Sequence, residues 1–387
     1  MAPGIPRVRC SLAADGGVSP TRGTKPGRPG GREARRQAAT IVAARPTRWT
    51  LPRAEGGAGM AVLPTRVLGT CGGGGATAAP HAAEGGVQVS RIALGCAGLS
   101  GTSNPAEFDD EKGARGVAAI RAALAAGITF FDFADIYGNG TAELVWQSAL
   151  REIPALRERA LVCTKASVRR AGDGAPYHYN AGFAHLHAAL EGSLRRLGVD
   201  RVDLLLIHRP DPLTHPRETA RALGGLVRSG KVGAVGVSNF TPAQVRALAG
   251  FMDVPLAALQ PSFSLWNLSP MEDGTLDICE EMGLLPMAYS PLGGGLLPGK
   301  RTLPEGDARQ ARMDGVQAEL RRCAESYGCT PNQAVLAWLL AHPAGVVPIV
   351  GSRDPEHIRE AAGSCQVQLS REDWYRLWVA GRGAGIP

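Results

Sequence analysis

The chain has 387 residues, of which 44% are hydrophobic and 20% charged, the balance of a globular protein and a length that suits one large domain or two ordinary ones. Its formal charge of +7 is concentrated before Met60, where Asp15, Glu33 and Glu55 are the only acids among scattered Arg and Lys. The remainder is close to neutral, which gives nucleic-acid binding little support, and no apolar run approaches the ~18 residues needed to span a membrane.

Residues 1–85 are rich in Gly, Ala, Pro and Arg, as in Gly27-Arg28-Pro29-Gly30-Gly31 and Gly72-Gly73-Gly74-Gly75. Such sequence buries too little apolar surface to offset the entropy of ordering, so a disordered extension is expected there. Two readings of it stay open: sequence upstream of a start near Met60, in a cytoplasmic protein, or an Arg-rich, acid-poor organellar transit peptide. The eight cysteines form no C-x-x-C pair and no zinc-ligand spacing, so they read as thiols of a reducing compartment, and no metal site is expected.

From residue 86 to 387 strands and helices alternate. Short apolar runs read as strands at Ile92-Ala93-Leu94, Thr129-Phe130-Phe131, Leu161-Val162-Cys163 and Val202 to Ile207. Four more follow at Ala234 to Val237, Ala257-Ala258-Leu259, Leu285 to Ala288 and Val346 to Val350. Between them lie amphipathic helices: Val117, Ile120 and Leu124 share one face, and Leu186, Leu190, Leu194 and Leu197 form a stripe that closes on Gly198. Repeated strand–helix units without a G-x-G-x-x-G turn after the first strand favour a (β/α)8 TIM barrel over a doubly wound sheet.

In such a barrel the chemistry sits where strands end. Asp132 ends the second strand with Tyr137 just beyond, Lys165 ends the third and His208 the fourth. Ser238 and Asn239 end the fifth, Gln260 the sixth, and Tyr289-Ser290 the seventh. A lone Tyr, Lys or His at such a place is ordinarily a packing or solvated residue. Asp, Tyr, Lys and His on consecutive strand ends have no comparable packing explanation, and an Asp and a Lys facing one mouth must pair to be buried.

These motifs carry a resemblance. Gly127-Ile128-Thr129-Phe130-Phe131-Asp132, Asp203 to Pro210 and Gly230 to Phe240 occur in order, and from about Val89 to Pro387 the chain resembles the aldo-keto reductases. The run His208-Arg209-Pro210-Asp211-Pro212-Leu213 and the tail from Trp374 resemble most a bacterial subgroup of predicted NADP-dependent oxidoreductases. The resemblance implies reduction of a small-molecule aldehyde or ketone by hydride transfer from NADP(H), with Tyr137 as general acid and His208 polarising the carbonyl. Lys165 is expected to bring the Tyr137 phenol down from its usual value near 10, with Asp132, rather than Asp135, holding Lys165. Asp135 reads as a local structural carboxylate.

For the cofactor, the resemblance implies carboxamide contacts from Ser238, Asn239 and Gln260 and stacking on Tyr289. Ser290, Leu292 and Gly294, within the run Gly293-Gly294-Gly295, would let backbone amides meet the pyrophosphate. Gly351, Ser352 and Arg353, with help from Arg359, would hold the adenosine 2′-phosphate at a helix N-terminus. Relatives often carry Arg or a neutral residue where this chain has His357, and Asn where it has Ala361. Trp266 and the Tyr177-His178-Tyr179 segment are candidates for the substrate pocket. Two other readings remain: a non-catalytic NADP(H)-binding regulatory or redox-sensing barrel, and a phosphate-binding hydrolase or isomerase. The complete catalytic set argues against the first, and the absence of a second carboxylate pair at the rim argues against the other.

Overall fold

In the computed structural model the described residues are 63, 65–68, 82–83, 86–172 and 174–386. Eight strands close into a parallel barrel, each paired with its neighbour in chain order. They are β1 (Ala93–Gly95), β2 (Phe130–Asp132), β3 (Leu161–Ala166), β4 (Val202–Ile207), β5 (Val232–Ser238), β6 (Leu256–Gln260), β7 (Leu285–Ala288) and β8 (Val347–Val350). All eight coincide with the apolar runs, within one to three residues at their ends.

Alternation along each strand builds two cores. On β4, Leu204 and Leu206 point into the barrel with Phe130, Leu161, Ala234 and Met287. Leu205 and Ile207 point the other way, against the surrounding helices, with Phe131, Val235 and Val237. The Leu186/Leu190/Leu194/Leu197 stripe lies on the helix Phe183–Leu197, which ends on Gly198 in the left-handed conformation. Helices Pro242–Ala249 and Pro331–Leu340 each start on a Thr–Gln capping box with Pro in the first turn, an unambiguous start signal.

The C-terminal helix Arg371–Arg382 lies outside the eight-fold repeat. Trp374 stacks on Trp338 at 5.1 Å between ring centroids, and each indole N–H donates to the other residue's carbonyl, at 3.1 and 3.0 Å. Packing a half-buried Trp374 on the buried Trp338, with both polar tips satisfied, anchors this helix to the barrel wall.

One segment inside the stretch expected to be an extension is paired with a strand. Thr65–Leu68 pairs antiparallel with Gly86–Ser90, and Leu68, Val87 and Val89 join the barrel-interior cluster. Leu68 and Val89 supply the apolar contact that holds this strand pair against the barrel interior. Ala82–Ala83 also pairs with Gly86–Val87, and apart from these segments and Leu63 the expected extension lies outside the described residues. Among the described residues no helix is long and apolar enough to cross a membrane.

Candidate active site

The ends of β2, β3 and β4 deliver four polar side chains to one point. Lys165, on β3, is fully buried, and its three N–H donors are all engaged. They reach Asp132 Oδ2 at 2.8 Å, the Phe133 carbonyl at 2.8 Å and the Tyr137 hydroxyl at 3.0 Å. The second oxygen of Asp132 accepts from Gln260 Nε2 at 3.0 Å, so a residue assigned by resemblance to the cofactor also orients the carboxylate. Asp132 is therefore the Lys165 partner, as expected.

Tyr137 is set by a tight turn. Gly138 adopts φ 58°, and a Cβ there would lie 2.2 Å from Thr141 Oγ1, so only glycine fits. This turn aims the ring at the barrel mouth, 5.9 Å from the His208 ring and nearly perpendicular to it.

Burial dominates the electrostatics. It pulls the Lys165 ammonium down, but Asp132 and then the Tyr137 phenol outweigh it, leaving Lys165 well above an ordinary lysine. Burial pushes the Tyr137 phenol up, and Lys165 only partly offsets this, so the net direction is upward. Lys165 acts in the expected direction, but desolvation is the larger effect, so the phenol ends above its ordinary value rather than below it. Burial, then the charges of Lys165 and Arg209, hold His208 down at about 3, so its ring is neutral. His208 Nδ1 is enclosed without a hydrogen-bond partner, so a hydrogen placed there would be stranded; on Nε2 it can be offered to a bound oxygen.

Cys96 and Cys163 flank this group, fully buried, and burial followed by the charge of Asp132 pushes both thiols far up. They are inert packing residues rather than nucleophiles. Asp135, a structural carboxylate by expectation, is raised to about 7 by burial and then by Glu143, and its Oδ1 is enclosed without a partner.

A cavity of about 650 Å³ opens over the group and runs from β4 across to β8. Asp132, Tyr137, His208, Ser238, Asn239, Gln260, Tyr289, Ser290, Leu292, Gly294, Gly351, Ser352 and Arg353 all line it. Asn239 donates to Ser238 Oγ at 2.8 Å and accepts from the Tyr289 hydroxyl at 2.8 Å, which pins the Tyr289 ring as a fixed wall. Cβ atoms built on Gly98, Gly294 and Gly351 would meet nothing within 4 Å, so bare backbone faces the space. Arg353 lies against Gly101, where an added Cβ would come 2.1 Å from its Nη1.

Three expected contributors fall elsewhere. Arg359 does not line the cavity; one turn along the helix Pro355–Gly363 it faces outward and pairs with Glu356. Trp266 is held under Arg312 at 4.4 Å and Arg309 at 5.6 Å, outside the cavity lining. His178–Tyr179 pairs with Val168–Arg169 in a small ribbon, and the Tyr177–Tyr179 segment is likewise outside it.

Sequence reasoning missed Lys300, Arg301, Asn332, Glu360 and Arg209, all of which line the cavity, as does His357. Lys300 Nζ sits 3.1 Å from His357 Nε2. The basic pair Lys300-Arg301 follows the glycine run closely, a signal that was available.

Residues 91–378 match the family model described as the aldo/keto reductase family. The chain is 43% identical over 274 residues to a protein of Novosphingobium aromaticivorans described as 6-dehydroglucose reductase, covering 69% of this chain and 86% of that one. It is 39% identical over 306 residues to a protein of Agrobacterium fabrum with the same description, covering 78% and 97%. A solved aldo/keto reductase from Klebsiella pneumoniae, in complex with NADP and acetate, aligns with TM-score 0.62 at 29% identity, over 78% of this chain and 94% of that one.

Proposed function

The chain belongs to the aldo/keto reductase family, and on that premise we propose that it is an NADP(H)-dependent oxidoreductase that reduces an aldehyde or ketone to an alcohol. The observation that carries this reading is the Lys165–Tyr137 hydrogen bond beside a neutral His208 at the floor of a deep cavity.

The residues suit the cofactor. A dinucleotide needs a flat wall for its nicotinamide, bare backbone at its pyrophosphate and cations at its phosphates. Tyr289 supplies the wall, Gly294 and Gly351 the open backbone, and Lys300, Arg301 and Arg353 the cations. Arg353, beside Ser352 at a helix N-terminus, is the proposed partner of a 2′-phosphate, which favours NADP(H) over NAD(H). The Klebsiella neighbour solved with NADP agrees with this choice.

When bound, the reduced nicotinamide supplies hydride to the carbonyl carbon. His208 offers its Nε2 hydrogen to the carbonyl oxygen and, being neutral, orients and polarises it without giving up a proton. Tyr137, protonated because burial holds its phenol up, passes its proton to that oxygen as negative charge builds. Lys165, fixed by Asp132 and the Phe133 carbonyl, stabilises the phenolate left behind. The closed floor keeps water away from the transfer.

The test is NADPH consumption against a carbonyl panel. Its first member is 6-dehydroglucose, the substrate named in the descriptions of two relatives. Turnover with NADPH supports the reading. Saturable NADPH binding without turnover of any carbonyl would replace it with a regulatory barrel.

A further inference from the structure

Arg209 follows His208 beyond the end of β4 and lines the same cavity as His208 and Tyr137. Its backbone is clamped by a single hydroxyl: Arg209 N donates to Ser167 Oγ at 3.1 Å, and Ser167 Oγ donates to the Arg209 carbonyl at 3.0 Å. Ser167 is fully buried and holds φ at 110°, a backbone state that is strained for a non-glycine residue. Strain of this kind persists only where surrounding structure enforces it, and here it fixes where Arg209 starts.

The guanidinium itself hydrogen-bonds or ion-pairs with no described residue. Two other part-buried arginines of the barrel are neutralised, Arg157 by Asp203 and Arg196 by Glu143. The acids that line the cavity are already committed. Asp132 is held by Lys165, and Glu360 accepts from Thr330 and Asn332. The other cavity cations gather on the β7–β8 side, where Arg301 packs against Gly295 and Lys300 against His357. Arg209 is thus an unpaired positive charge on a fixed backbone, on the side of His208 and Tyr137 and away from the proposed phosphate cradle.

A guanidinium presents parallel N–H donors that match two oxygens side by side. We propose that Arg209 is a specificity-determining residue that grips a paired-oxygen group of the carbonyl substrate, a carboxylate or a vicinal diol, while His208 and Tyr137 hold the carbonyl oxygen. This rests on the reductase reading and names its substrate class: oxygenated small aldehydes and ketones rather than purely apolar ones.

The experiment compares kcat/KM with NADPH for three aldehydes of similar size: succinic semialdehyde (carboxylate), glyceraldehyde (vicinal diol) and butanal (apolar). Wild type, Arg209→Met and Arg209→Lys are assayed, with NADPH binding followed by tryptophan fluorescence to show that each variant is folded. Arg209 also holds His208 down, so a single rate would mix two effects, whereas a ratio between substrates cancels the shared one. In Arg209→Met the ratio of an oxygenated aldehyde to butanal falls at least ~10-fold, mainly through KM, and Arg209→Lys recovers only part of it. A fall confined to succinic semialdehyde identifies a carboxylate, and one confined to glyceraldehyde a diol. Unchanged ratios for both in Arg209→Met, with wild-type turnover intact, overturn the assignment and leave the reductase reading standing. No turnover of any aldehyde by the wild-type protein sinks both.

Discussion

Lys165 Nζ lies 2.8 Å from Asp132 Oδ2, and both side chains are shut away from solvent. Two charges in such a place are tolerable only together. Removing one partner strands the other, at a cost of about 3–5 kcal/mol, whereas removing both avoids that penalty. Lys165→Met and Asp132→Asn should therefore each lower the urea midpoint sharply, and the double variant should be more stable than the two losses added together. Simple additivity in the double-mutant cycle would show that the two residues are not coupled.

Tyr137→Phe removes the proposed proton donor and keeps the ring. Carbonyl reduction should fall by about 10²–10⁴-fold in kcat, while NADPH affinity stays within about twofold, since the Tyr137 hydroxyl bonds to Lys165. Stopped-flow single turnovers checked against a fluorescence titration separate the two. A near-wild-type rate would remove Tyr137 from the acid's role.

The pH profile of reduction follows from two directions. Reduction needs Tyr137 protonated, and burial raises its phenol above 10, so activity is lost only as pH rises beyond the ordinary phenol range. It also needs His208 neutral, and with His208 down at about 3 that condition holds until strongly acid pH. NADPH-dependent kcat should stay level across roughly pH 6 to 9 in terms of these two groups. A steep loss between pH 6 and 7 would show that His208 titrates near its ordinary value.

Asp135 makes a separate prediction about stability. Its carboxyl, raised to about 7 from 3.8 by burial and Glu143, binds a proton in the folded chain that the unfolded chain has already released. Stability therefore declines as pH rises from about 4 through 7. Asp135→Asn removes that slope and should gain on the order of 1–4 kcal/mol at pH 8 relative to wild type, with little gain near pH 4. Thermal unfolding at the two pH values reads this directly, and equal shifts at both would refute it.

Arg353→Ala tests cofactor choice. Losing a charge-assisted contact to a 2′-phosphate should weaken NADPH binding by about 10–100-fold and NADH binding far less. Arg359→Ala, which breaks only an exposed pair with Glu356, should change neither. Equal losses for both cofactors in Arg353→Ala would move the 2′-phosphate elsewhere in the cavity, with Lys300 and His357 next in line.

Much of this molecule was determined by sequence alone, because its barrel strands are short apolar runs between amphipathic stretches and its helices carry clear start and stop signals. Leu204 to Ile207, read as a strand, is buried on both faces, and Gly198 ends the helix whose leucine stripe it closes. The four groups proposed to react were legible because polar residues that end apolar barrel strands emerge at the rim. Tertiary structure alone decided the rest. Arg353 and Arg359 lie on one short turn-and-helix segment, and only the direction of that helix turns one into the cavity and the other to solvent. Thr65–Leu68 looked like tail because its order comes from pairing with Gly86–Ser90 and from the barrel interior, neither of which is local. The direction of the Tyr137 shift was hidden as well: sequence names Lys165 as the neighbour, but the depth of burial that outweighs it exists only once the barrel has closed.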